Sequence, residues 1–304
     1  MAATASAPGD IIVAKPKWRP LESEGNLALL LLLPTLTLLT LFIAYPFMRG
    51  IMLAVTDARV GIPGKWVGFK DPIFHAVVYN TFLYTFVTTV IKLVLGLWLA
   101  ILLNRDFKFK AFTRAFILLP FIVPTVLACF AWKWMFDPTF SVINWVLFKM
   151  GVIAAGAGIN WLGDGDLAML SIIIVNIWRG VPFFAISLMA GLQTISPDLH
   201  EAAAIDGAKP FQRFWYVTWP LLLPVTMVVV LFSVIQTFAD FQIVYVLTGG
   251  GPANATHLFA TYAYQLGIGT GLLSQGAAVS LAMFPLLFGI VIFQLLYIRR
   301  VETR

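Results

Sequence analysis

Long apolar runs separated by short polar stretches set the plan of this chain. They fall at 27–48, 80–103, 115–136, 168–193, 221–247 and 277–298. Each is close to the length of about 20 helical residues that crosses a hydrocarbon core of roughly 30 Å. Backbone groups in lipid must be satisfied within the segment, so the runs are predicted to be helices rather than strands. The expected fold is an all-α membrane protein with about six transmembrane helices. A transmembrane domain, 27–298, is expected between an N-terminal tail, 1–26, and a C-terminal tail, 299–304. The first run is not read as a cleaved signal peptide. It is too long, it follows about 26 polar residues, and no small-residue cleavage site closes it. The stretch MAATASAPGDIIVAKPKWRP is Ala- and Pro-rich and is expected to be mobile. No outer loop exceeds about 31 residues, so each is expected to cap the bundle rather than fold as a domain.

Composition supports the membrane plan and narrows the function. Of 304 residues, 60% are apolar and only 11% charged, with a mean hydropathy of +0.91. A soluble domain rarely goes so far. The formal charge of +6 is read as basic loops on one membrane face and not as a nucleic-acid surface. Segments 1–26, 104–114, 194–220 and 299–304 carry 12 of the 20 Lys and Arg residues. The opposite loops hold only Arg49, Arg59, Lys65, Lys70 and Lys149. The positive-inside rule therefore puts both termini and the 194–220 loop in the cytoplasm. Cys129 is the single cysteine, which rules out an internal disulfide and a cysteine metal cluster. His75, His200 and His257 are scattered and loop-like, so no metal site is expected.

The 194–220 loop has its own pattern. Ser196 can cap a helix with Pro197 at its first position, where a missing N–H costs nothing. Leu199, Ala202, Ala203 and Asp206 then share roughly one side. Gly207 allows a sharp turn. Pro210 can open a second short helix carrying Phe211, Phe214, Trp215 and Thr218, with Pro220 and Pro224 marking the return to the membrane. Two short helices around a glycine corner are expected, with the aromatic residues anchoring the second on the bundle or on a partner.

Glu201-Ala202-Ala203, then Gly207, then Val217 and Trp219-Pro220, resembles the EAA loop of permease subunits of binding-protein-dependent ABC importers. Trp219 departs from the usual Leu and leaves the core of the motif intact. The run Asn176–Phe183, NIWRGVPF, is similar to the segment before that loop in carbohydrate permeases. The run Phe241–Pro252, FQIVYVLTGGGP, is similar to their aromatic–YxLTxGGP segment. Together these runs resemble the maltose and glycerol-3-phosphate branch of type I importers over residues 25–300.

The resemblance implies a permease that does no chemistry itself. It implies a second permease subunit, two copies of a cytoplasmic ABC ATPase that bind ATP and Mg, an extracytoplasmic solute-binding protein, and a bacterial inner-membrane location. It assigns Glu201, Ala202, Ala203, Asp206, Gly207 and Ala208 to ATPase coupling, with Glu201 as a charged contact and Gly207 as the corner. No G-x-x-x-x-G-K-[ST] loop is present, so no nucleotide is expected on this chain. The carbohydrate pocket of the family maps onto Arg179, Gly180, Phe183, Ser233, Gln236, Thr237 and Asp240. The last four recur at helical spacing as a polar stripe, and Phe183 could stack on a sugar ring. Ionisable residues within spans are costly and default to functional hypotheses. For Arg179 three readings stay open: an ion pair with Asp240 holding two spans together, a substrate contact, or packing against a second permease. If it faces the pocket unpaired, an anionic sugar derivative becomes attractive. Lys92 is read as structural, paired or reaching a carbonyl, and Lys133 as a snorkelling residue.

Three other functions compete. A secondary transporter would need ion-coupling carboxylates in its spans, and Asp240 is the one Asp there. A membrane-embedded enzyme would need a cluster of His, Asp or Glu ligands, and none is visible. The same fold could also carry a non-sugar solute such as a glycerol phosphate, a phosphate, an amino acid or a polyamine.

Overall fold

The computed structural model describes residues 24–54, 56, 73–154 and 157–302. The expected mobile stretch 1–20 and most of the outer loop near Arg59, Lys65 and Lys70 lie outside them. The described residues contain helices and no extended strand. The chain divides into two compact units, one ending at Arg49 and the other running from Gly50.

From Glu24, α1 (Glu24–Leu39) passes through a π-helical turn, Thr40–Ala44, into α2 (Tyr45–Ala54), within which the first unit ends. The wide turn immediately precedes Pro46, whose ring and missing N–H disturb a regular ladder. The side chains from Leu27 to Arg49 are exposed apart from the undescribed positions. An exposed face this rich in Leu suits lipid rather than water.

The second unit is built on α3 (Phe74–Asn104) and α7 (Gly165–Gln193), which pack along each other. Asp164 starts α7 by accepting the N–H groups of Asp166 and Leu167, both at 3.1 Å. Around the pair lie α4 (Lys110–Ile122), α5 (Thr125–Met135), α10 (Trp219–Phe238), α11 (Gln242–Leu247), α12 (Phe259–Tyr264) and α13 (Leu273–Glu302). One apolar cluster joins Tyr84, Phe136, Ile172 and Val244. A second joins Ala100, Phe184, Leu188 and Leu222, and a third joins Val77, Phe238, Phe259 and Val279. A short helix, α6 (Val142–Lys149), is capped by Ser141, and Trp161 Nε1 donates to Asn144 Oδ1 at 2.8 Å beside it.

Five helices are long and apolar enough to cross a membrane among the described residues, or six with α4 and α5 taken as one span. Three departures from the expected runs matter. The third run is not one straight helix, because α4 and α5 meet at 89°. Val123, which precedes Pro124, is extended at φ −61°, ψ 131°, the region that a residue before proline favours. The fifth run ends its helix at Phe238 and resumes in α11, with Ala239–Phe241 between. Asp240 Oδ1 accepts the N–H of Ile243 at 3.3 Å and so covers a donor that the new helix leaves open. Finally, α13 continues to Glu302, so the expected tail from 299 begins as helix.

Candidate functional site

Helix α7 presents Asn176, Arg179, Gly180 and Phe183 at i, i+3, i+4 and i+7, one face of a helix. They line a cavity of about 660 Å³. Its opposite wall is Phe232, Ser233, Gln236 and Thr237 of α10, followed by Asp240 and Phe241 beyond the helix end. Lys92 of α3, Phe121 of α4 and Thr125 of α5 complete it. Both interruptions of regular helix, at Val123–Pro124 and at Ala239–Phe241, therefore border the cavity. Irregular backbone at membrane depth is tolerated where it lines such a space. The volume lies within the usual range for small-molecule sites.

All seven sequence-predicted pocket residues line this one cavity. Of the three readings left open for Arg179, the ion pair is not seen: no salt bridge joins Arg179 to Asp240 among the described residues. Asp240 is held instead by neighbours of a different kind. Tyr84 Oη donates to Asp240 Oδ2 at 2.7 Å, and Asn176 Nδ2 donates to the same oxygen at 3.1 Å. Asn176 also accepts, through Oδ1, a hydrogen bond of 2.9 Å from Lys92 Nζ. Lys92 Nζ gives a second bond of 2.9 Å to Thr237 Oγ1. Lys92, Asn176, Asp240 and Tyr84 thus form one chain of hydrogen bonds across α3, α7 and the end of α10.

Arg179 stands outside that chain. Its guanidinium makes no hydrogen bond among the described residues, and Nε is buried without a partner. Ser233 Oγ is likewise buried and unpartnered. Phe183 is stacked on Phe121, with ring centroids 5.9 Å apart and planes 20° from parallel. Lys92 lines the cavity, as do Asn176 and Phe121, which sequence reasoning did not place there. Lys133 donates to the Val246 carbonyl at 3.2 Å, tying α5 to α11. His257, read as loop-like, is 2% exposed, with Nδ1 3.2 Å from Thr261 Oγ1.

The second candidate site is the 194–220 hairpin. Ser196 Oγ accepts the N–H of Asp198 at 3.3 Å, and α8 (Pro197–Ile205) follows. Gly207 has φ +80°, and nothing lies within 4 Å of a Cβ built on it. The Gly207 N–H bonds to Ala204 O at 3.0 Å and the Ala208 N–H to Ala203 O at 2.9 Å, the pair of bonds of a Schellman motif. Glu201, Ala202, Asp206 and Gly207 are exposed, while Ala203 and Ala208 are half-buried. Helix α9 (Pro210–Arg213) does not remain a separate short helix. It passes through a π-helical turn, Phe214–Thr218, directly into α10. That wide turn precedes Pro220, as its counterpart precedes Pro46, so the proline bends the ladder without ending it. Phe211, Phe214, Trp215 and Trp219 make successive ring contacts along the rod, centroids 5.4–6.2 Å apart.

Residues 92–303 match the family model described as the inner membrane component of binding-protein-dependent transport systems. The chain belongs to this family. The permease is 35% identical over 292 residues to the trehalose/maltose transport system permease protein MalF of Thermococcus litoralis, covering 93% of this chain and 96% of that relative. It is 35% identical over 300 residues to the sulfoquinovosyl glycerol transport system permease protein SmoG of Agrobacterium fabrum, covering 95% of each. Among solved structures, a chain of a bacterial alginate ABC transporter, crystallised with an alginate pentasaccharide-bound periplasmic protein, matches with a TM-score of 0.77. That match is 20% identical and covers 90% of this chain and 94% of the other, so it shows the fold. The permease is a multi-pass inner-membrane subunit with the fold of ABC importer permeases.

Proposed function

We propose that this permease passes a sugar or sugar derivative through the cavity between α7 and α10, from an extracytoplasmic binding protein into the cytoplasm. Relatives named for trehalose/maltose and for sulfoquinovosyl glycerol support a carbohydrate cargo. The observation that carries the reading is the mixed lining of the cavity. Ser233 Oγ and the Arg179 guanidinium have no partner of their own, and they stand beside the rings of Phe183, Phe232 and Phe241. A sugar loses water from each hydroxyl on entry and must regain hydrogen bonds, while its ring faces suit aromatic surfaces.

Work is supplied from outside the chain. A second permease completes the pathway, and two cytoplasmic ATPases hold ATP and Mg. One of the two ATPases grips the hairpin at Glu201, Ala202, Ala203, Asp206, Gly207 and Ala208. Closure of the ATPases moves the hairpin, and the bundle rocks between two states that the nucleotide biases. Both termini and the hairpin lie in the cytoplasm, in keeping with the basic residues of 104–114 and 194–220.

The test is uptake into proteoliposomes holding this permease, its partner permease, the ATPases and the binding protein. Sugar uptake is expected only with internal ATP and binding protein. Uptake driven by an ion gradient without ATPases would overturn the reading.

A further inference from the structure

Three ionisable side chains meet at the cavity. Lys92, Arg179 and Asp240 line it. Asp240 is hydrogen-bonded to Tyr84, Asn176 and the Ile243 N–H. Lys92 is joined to it through Asn176. Lys92 and Asp240 are therefore bound into a single network, and Arg179 stands outside it.

A guanidinium has five N–H donors in a flat fork. At Arg179 none of them bonds to a described residue, and Nε is shut off from water as well. The residue is half-buried, and an unpaired charge at membrane depth is expensive. Neither a salt bridge nor a hydrogen bond joins Arg179 to Asp240 among the described residues; the Asp240 carboxyl is bonded to Tyr84, Asn176 and the Ile243 N–H. Ser233 Oγ offers a second unpartnered polar group on the facing wall of the cavity.

We infer that the cargo carries an anionic group, a carboxylate, sulfonate or phosphate monoester on a sugar, and that Arg179 receives it. The inference rests on the sugar reading and names the subclass. A bidentate contact from the guanidinium would supply the missing countercharge and orient the cargo, and its ring would then lie toward Phe183. An ammonium cannot reproduce two parallel bonds, so Arg179→Lys is a partial substitute at best. Cationic cargo is disfavoured by the same guanidinium.

The experiment is uptake by the complete reconstituted transporter, with its binding protein and internal ATP. The probes are paired hexoses: glucose against glucuronate and 6-deoxy-6-sulfoglucose, and galactose against galacturonate. Uptake of an acidic member is expected to exceed that of its neutral analogue. Arg179→Gln is expected to lower acidic uptake about tenfold or more, and Arg179→Lys to restore part of it. Basal ATPase activity and co-purification of the second permease are measured on each variant. Equal uptake of neutral and acidic members by the native protein overturns the inference and leaves the sugar reading standing. An acidic preference that survives Arg179→Gln overturns it too, because the binding protein alone would then set the preference. Loss of the second permease from the Gln variant reassigns Arg179 to assembly and overturns it likewise. Failure to import any sugar sinks the sugar reading, and the inference with it.

Discussion

The alkyl stem of Lys92 lies across Gly180, in the space that a Cβ on residue 180 would occupy. The ammonium beyond that stem is held by Asn176 and Thr237, each at 2.9 Å. A flexible lysine could normally swing aside, but this one is anchored at its tip. Gly180→Ala should therefore displace Lys92 and strain both bonds. The expected cost is about 1–3 kcal/mol. Thermal unfolding of the purified variant should show the loss, and uptake should fall while insertion persists. A variant with native stability would show that the lysine moves freely.

Lys92 and Asn176 should behave as one unit. Lys92→Met leaves Asn176 Oδ1 without its donor, and Asn176→Leu leaves Lys92 and Asp240 each short of a partner. Each change is expected to cost about 1–3 kcal/mol. The double variant should lose less than the sum of the two, since removing both ends of a bond avoids a stranded group. Denaturation curves for the four proteins decide it, and strict additivity would deny the coupling.

Tyr84 is fully buried and gives its hydroxyl to Asp240 Oδ2 at 2.7 Å. Tyr84→Phe keeps the ring in the apolar cluster and removes only that bond. A hydrogen bond to a charged group is worth about 1.5–3 kcal/mol, so a fall in melting temperature is expected without loss of insertion. An unchanged melting temperature would mean that water replaces the hydroxyl at no cost.

At Gly207 the backbone is left-handed, φ +80°. Any residue with a Cβ meets a cost there of about 1–2 kcal/mol, with Asn tolerated best. Gly207→Asn should keep more uptake than Gly207→Ala. Gly207→Asp should abolish uptake while the protein still inserts, because a carboxylate is added to the face proposed to dock. Uptake assays alongside membrane-fraction blots separate the two effects. Normal transport by the Asp variant would refute the docking role.

Much of this molecule could be read from local signals. Span positions follow from apolar length, and the turn at Gly207 follows from Ser196, Pro197 and Pro210, because each acts within a few residues of itself. Prolines were harder. Pro124 marks a real break and Pro220 does not, since π-helical turns absorb the missing N–H at Pro220 and Pro46. The network around Lys92 was out of reach for a different reason. Its bonds join residues 84 and 145 positions apart, and no periodicity along one chain reports which helix faces which. The same limit kept an Arg179–Asp240 ion pair open as a reading, whereas Asp240 is bonded to Tyr84 and Asn176.

Ile205, Phe211 and Tyr216 stand 87%, 74% and 80% exposed on and just beyond the hairpin, where the chain has left the apolar run. So much bare hydrocarbon outside lipid invites adhesion. A copy synthesised in excess of its companions would offer that sticky knob to chaperones and proteases. On the proposed assembly, balanced production of the subunits would follow from the surface of the hairpin, and surplus permease should be short-lived.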